Sequence, residues 1–252
     1  MSDYYADGHE FMAQNGYLVG NAWYPRVTRI VSIKSKPGLH NFYREVGSAA
    51  AKTISEKSAE EGTMVHEAVE AVLLGHEPEI PPLIAPAVRA FLGFRERTPI
   101  QVAPDYVERR VVHPEHRYAG TVDALAYIDG KFGILDIKTS QAIYRDYNLQ
   151  TAAYMEALKN SFPNLETRWI LRIDQASRCW NCGATKRVKG GREKIRNGSG
   201  VMRCAVHEWG DTEGVIELQE FPSWQTDFEG FLGAKRLWEW ENEWWLGKIG
   251  YL

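Results

Sequence analysis

One stretch constrains this chain more than any other: residues 118–140, YAGTVDALAYIDGKFGILDIKTS. Two runs rich in Val, Ile and Tyr flank Asp129-Gly130, and an Asp-Gly pair between such runs is a strong hairpin signal. The chain is therefore committed to a sheet containing this antiparallel pair. Asp123 falls in the first run and Asp136 in the second, so strand pairing can bring the two carboxylates close. Lys138 follows Asp136 by two residues, and strand alternation puts both side chains on one face. Ile134, Leu135 and Ile137 surround these charges, which predicts a central, partly buried strand. Buried charges are costly unless paired or bound to metal. Two readings fit. One is a structural Asp–Lys ion pair. The other is a hard-cation site, because carboxylates from two strands suit Mg²⁺ or Mn²⁺ and a lysine can orient or activate an attacking water.

The remaining pattern surrounds that sheet with helices. Residues up to about 35 are aromatic and irregular, with breaks at Tyr24-Pro25 and Lys36-Pro37-Gly38. Leu39 to Gly75 reads as helical, with Val65, Ala68, Val69, Val72 and Leu73 at helix spacing. PPLIAPAVRAFLGFRER predicts a short helix, and YVERRVVH a further strand before the hairpin. A helix is expected from Asn148 to about Asn160, followed by the strand WILRID. A polar, Gly-rich stretch then precedes the strand GVIELQEF and an aromatic helix from about Gln225 to Trp245. With 252 residues, 44% of them apolar and 25% charged, a single globular core is expected rather than a disordered or coiled-coil chain. The order predicts one α/β domain over 1–252. Its parts are a mainly helical segment (1–100), core strands and a helix (101–176), an inserted loop module (177–212), and a final strand with the aromatic helix (213–252). Trp238 and Trp245 can share a stripe of that helix with Leu237 or Trp244, a pattern of core packing more than of base stacking.

The three cysteines all fall in the inserted module. Cys179 and Cys182 form C-x2-C, and Cys204 and His207 form C-x2-H, with 21 residues between the pairs. Three thiolates and an imidazole at this spacing suit a closed tetrahedral Zn²⁺ site. Its role would be structural, since a polar loop of this length buries too little apolar surface to order itself. Between the pairs lie Lys186, Arg187, Lys189, Arg192, Lys194 and Arg196, with Gly190, Gly191, Gly198 and Gly200. From Arg178 to Arg203, eight basic residues face one acid, Glu193, giving +7. The formal charge of −3 therefore hides a basic module on a body of −10. Such a run is either a solvated face or a phosphate-contacting finger.

GTMVHEAVE on a helix, GTVD on a strand, LDIKTS on the next strand and QTAAY on a helix resemble, in that order, the motifs of the PD-(D/E)XK nuclease superfamily, and within it the RecB-like exonuclease branch. The resemblance spans about Gly62 to Tyr154 and implies a restriction-endonuclease-like core: a mixed central sheet flanked by helices. It implies that His66, Asp123, Asp136 and the main-chain carbonyl of Ile137 hold Mg²⁺ or Mn²⁺. Lys138 would position the nucleophilic water, and Gln150 and Tyr154, one helical turn apart, would support the site and contact DNA. Glu108 in YVERR stands where many members carry a glutamate near the metal; it is either near the metal or simply exposed. Glu67 and Glu70 neighbour His66, and Glu70, four residues on, shares its helix face. Tyr144, Arg145 and Tyr147, just after the catalytic strand, are placed to touch a nucleotide. Some relatives hold an iron–sulfur cluster with four cysteines flanking the core. Here the ligands sit together in one loop and the fourth is histidine, which favours zinc.

The implied function is metal-dependent hydrolysis of DNA phosphodiesters. The branch suggests an exonuclease acting on single strands or DNA ends, in DNA repair, recombination or phage DNA processing, with a helicase or recombination protein as a candidate partner. The alternatives are a zinc-stabilised nucleic-acid-binding module without cleavage, or an endonuclease or RNA nuclease of the same fold. No run approaches the roughly 20 apolar residues of a membrane helix. The first residues lack the layout of a signal peptide, so the expected compartment is the cytoplasm.

Overall fold

The computed structural model describes residues 5–34, 37–197 and 204–252. Lys36, Gly198, Gly200 and Arg203 lie outside them. The chain is a mixed α/β fold with a mixed central sheet flanked by helices. The amino-terminal region is not irregular as expected. It forms α1 (Gly8–Asn15), a hairpin of β1 (Gly16–Val19) and β2 (Ala22–Pro25), and α2 (Val27–Val31). Asp7 caps α1 by accepting the Glu10 amide at 2.8 Å. These elements are too short to be stable alone. Burial of Phe11, Val27 and Ile30 holds them in place.

The expected single helix from Leu39 to Gly75 is two, α3 (Pro37–Val46) and α4 (Ser48–Leu73), separated by Gly47 at a φ of +79°. After α5 (Ala85–Arg97) come β3 (Ile100–His113), β4 (Tyr118–Ile128) and β5 (Lys131–Lys138). Asp129 and Gly130 both have positive φ, +50° and +79°, the backbone that a two-residue I′ turn requires. The helix α6 (Asp146–Leu158) leads to β6 (Thr167–Cys179), which pairs parallel with β5; the other pairings in this sheet are antiparallel.

The inserted module is an extension of the sheet rather than a loop. β6 runs on to Cys179, β7 (Thr185–Lys189) and β8 (Arg192–Arg196) form a hairpin, and β9 (Trp209–Glu220) returns beside β6. The closing aromatic helix is broken at Asn242 into α7 (Gln225–Glu241) and α8 (Glu243–Lys248). Trp238 is buried and Trp245 stacks on Phe11, whereas Leu237, Trp240 and Trp244 are exposed. No helix among the described residues is long and apolar enough to cross a membrane.

Alternation along β5 builds a core on each side of the sheet. Ile134 packs with Phe11, Ala153, Tyr154 and Phe231 on the α6–α7 side, while Leu135 and Ile137 pack with Val69, Val88 and Leu171 on the α4–α5 side. A charged side chain also lies inside this packing. Arg168, fully buried on β6, donates to the carbonyls of Asn148, Phe221 and Ser223 and pairs with Asp227, tying α6, the end of β9 and α7 together. Removing one member of a buried, hydrogen-bonded charge pair costs about 3–5 kcal/mol. Arg168→Met should therefore lower the unfolding free energy by about that amount, read as a reduced urea midpoint.

Candidate functional site

The β4–β5 ladder runs from the turn to Ala124↔Leu135 and stops one pair short of Asp123 and Asp136. There the Ile137 amide donates to Asp123 Oδ2 at 2.6 Å, so a carboxylate replaces the next rung. Asp136 is buried, and its Oδ1 accepts from Gln150 Nε2 at 3.0 Å. The Lys138 ammonium lies 2.5 Å from Asp136 Oδ2, as alternation requires. That charge contact lacks hydrogen-bond alignment, and Oδ2 is left without a hydrogen bond among the described residues. Burial pushes the Asp136 carboxyl up to about 6, against the pull of Lys138. Burial also raises Asp123, while it is the two acids that keep Lys138 charged despite its own burial.

Two helices frame this pair. His66 on α4 places Nδ1 3.9 Å from Asp123 Oδ2 and 4.0 Å from Glu70 Oε1. Burial, with Lys138 nearby, brings the imidazole down to about 4, so it is neutral at physiological pH and able to ligate a metal. Glu70 is held up to about 8 by burial and by Glu108, with which it shares a hydrogen bond. Glu108 takes a left-handed backbone, φ +48°, in β3 between Val107 and Arg109, past the irregularity that separates Val102 from Val107. Glu67 is exposed. On the other side, Gln150 donates to both Asp136 and the Tyr154 hydroxyl, the latter at 3.2 Å. Tyr154 is buried over Gly120, where a Cβ would sit 2.4 Å from its ring. The glycine of GTVD is thus the space into which the tyrosine of QTAAY fits. The Ile137 amide faces Asp123.

The four predicted zinc ligands converge. The atoms offered by Cys179, Cys182, Cys204 and His207 lie within 4.8 Å of one another, with edges of 3.7, 3.3, 3.4 and 3.0 Å. A tetrahedral zinc site has edges of about 3.5–3.8 Å, from Zn–S near 2.3 Å and Zn–N near 2.0 Å. Gly183 takes a φ of +69°, and its amide donates to the Cys179 carbonyl at 3.0 Å, closing the turn between the first two ligands and β7. Burial opposes ionisation of Cys179, yet the amides of Cys182 and Asn181 and the His207 ring bring its thiol down to about 6. Hydrogen bonding to Cys182, together with burial, holds Cys204 up to about 12. This Cys3His cluster could hold a metal ion such as zinc. A second group, His113, His116 and Glu156, is internally satisfied: His113 Nδ1 accepts the His116 amide at 3.2 Å, and Glu156 pairs with Lys159 at 2.6 Å.

The basic hairpin is more tied down than a solvated face. Arg187 makes two 2.8 Å contacts to Asp174 and reaches the Thr139 carbonyl at 3.1 Å, and Lys189 donates to the same carbonyl at 2.6 Å. Thr139 directly follows Lys138, so the hairpin grips the end of the central strand. Burial pushes the Lys189 ammonium down to about 8. At the hairpin tip, the Gly190 amide donates to Glu61 at 2.9 Å and Arg192 pairs with Glu45 at 2.6 Å. Arg196 reaches Gln141, and Lys186 lies over Trp209 and 3.9 Å from Glu193. Together with α3, α4 and the loop after β5, the hairpin encloses a cleft of about 680 Å³. Arg187, Lys189, Arg192 and Lys194 line it, as do Tyr144 and Tyr147; Arg145 does not.

No family model matches the chain, and no curated protein matches it. Residue order gave no sign of Asp174 and Thr139, the two anchors of the hairpin cations. Purified protein should carry one zinc per chain by elemental analysis. Cys204→Ser should lose it and become more susceptible to proteolysis between Cys179 and His207. Iron with sulfide in the wild-type protein would contradict this assignment.

Proposed function

We propose that the chain is a metal-dependent deoxyribonuclease with the restriction-endonuclease-like core of the PD-(D/E)XK superfamily, in its RecB-like branch. In this reading Mg²⁺ or Mn²⁺ occupies the acid–lysine centre and zinc the Cys3His knuckle. The observation that carries it is Asp136: a buried carboxylate with one oxygen oriented by Gln150 and the other against the Lys138 ammonium, beside Asp123 and neutral His66. Oxygen-rich ligands with one imidazole have the donor chemistry of a Mg²⁺ or Mn²⁺ site. The ligands would be His66, Asp123, Asp136 and the Ile137 carbonyl, with Glu70 and Glu108 as further carboxylates. A cation bound there supplies charge for the phosphate and lowers the pKa of a bound water.

The protein's own groups have separate tasks. Gln150 fixes the Asp136 carboxylate, and Tyr154 fixes Gln150. Lys138, kept charged by the two acids, donates to the attacking water and opposes the charge growing on the phosphate. Water adds to phosphorus and releases a proton to solvent, the P–O bond to the leaving nucleotide breaks, and the departing oxygen takes a proton from solvent. The cleft beside Thr139, lined by cations and two tyrosines, suits a nucleic-acid strand. Exonucleolytic action on single strands or ends, in repair, recombination or phage DNA processing, follows from the motif resemblance. The 2.5 Å Asp136–Lys138 contact is also what a purely structural ion pair shows, and this favours a non-cleaving binding module as the rival reading.

End-labelled linear DNA should be degraded in Mg²⁺ or Mn²⁺, and closed single-stranded circles spared. Lys138→Ala should slow cleavage by about 10²–10³-fold, and Asp136→Asn should abolish it. Wild-type protein that binds linear DNA and leaves it intact in both metals would support the binding module instead.

A further inference from the structure

The two arginines that flank the start of β4 are not explained by the centre or by the hairpin. Arg110 lies with its guanidinium carbon 3.5 Å from the centre of the Tyr17 ring, and Arg26 lies 4.4 Å from the same centre. The two cations are therefore within about 8 Å of each other. Neither has a carboxylate partner among the described residues, and Arg26 Nε is buried without a hydrogen bond. Glu108, the nearest acid along β3, turns instead to Glu70. Cation–π contact with one ring offsets only part of the cost of holding two positive charges together. An anion between them would complete the arrangement.

Their place in the fold says which anion. Arg110 is paired with Thr121 in the β3–β4 ladder, two residues before Asp123. Arg26 bridges Ala119, beside the Gly120 that receives Tyr154. Both are thus anchored to the strand that carries Asp123, while the hairpin cations hold Thr139 at the end of β5. Planar guanidinium groups bind phosphate through paired N–H···O contacts of about 2.7–2.9 Å, and one phosphate can span two such groups at this separation. We propose that Arg26 and Arg110, held on Tyr17, form a subsite for a backbone phosphate of the nucleic-acid substrate, adjoining the acid–lysine centre on the β4 side. This rests on the nuclease reading of that centre.

The test is anisotropy of a fluorescent single-stranded 12-mer with wild type, Arg110→Gln, Arg26→Gln and Lys194→Gln, titrated in Ca²⁺ to prevent turnover and repeated over a salt series. Arg110 is exposed, so its substitution tests the site even where Arg26→Gln fails to fold. Arg110→Gln should weaken binding about tenfold and reduce the slope of log affinity against log salt by about 1. Wild-type affinity and slope in Arg110→Gln, with binding weakened by Lys194→Gln, would overturn the subsite and leave the nuclease reading intact. A wild-type protein that binds no oligonucleotide would overturn both.

Discussion

The structure turns on the place where a side chain takes over from a β-ladder. Between Ala124↔Leu135 and the ends of the strands, Asp123 Oδ2 accepts the Ile137 amide that a regular rung would have used. The substitution satisfies a backbone donor that burial would otherwise make expensive. It also sets the Asp123 carboxylate beside Asp136, within reach of His66. Two carboxylates and a lysine are then held together at the end of a central strand whose other side chains are apolar. Gln150, Tyr154 and the bare Cα of Gly120 brace this arrangement from the α6 side.

A second constraint acts from outside. Cys182 lies three residues before β7, and Cys204 and His207 just before β9, so one metal ion would pin both ends of the excursion that carries the hairpin. Joining Cys182 to Cys204 removes the closure entropy of the chain between them. The hairpin so held reaches back through Arg187 and Lys189 to the Thr139 carbonyl, one residue beyond Lys138. The Cys3His cluster and the acid–lysine centre are therefore mechanically connected, although they are far apart in sequence.

Much of this was legible from residue order. Asp129-Gly130 specified its turn because few residues accept positive φ at two successive positions. The spacing of Asp136 and Lys138 put both on one face, and the paired cysteines announced their cluster. What stayed hidden depends on tertiary context. The amino-terminal elements are too short for periodicity to register and exist through the burial of Phe11, Val27 and Ile30. Glu108 meets Glu70 from a residue with left-handed backbone, φ +48°, which no pattern of period two encodes. The six hairpin cations read as a uniform positive patch, yet Asp174, Thr139 and Glu45 claim half of them. That pairing could not be inferred without the fold.

The claim on which the account depends is that the Asp123–Asp136–His66 cluster is a divalent-cation site. Crystals soaked in Mn²⁺ and measured for anomalous scattering test it directly. A manganese peak should lie about 2.0–2.3 Å from carboxylate oxygens of Asp123 and Asp136, with Lys138 drawn away from Asp136 Oδ2. Density without such a peak, and the Asp136–Lys138 contact unchanged at saturating Mn²⁺, would contradict it.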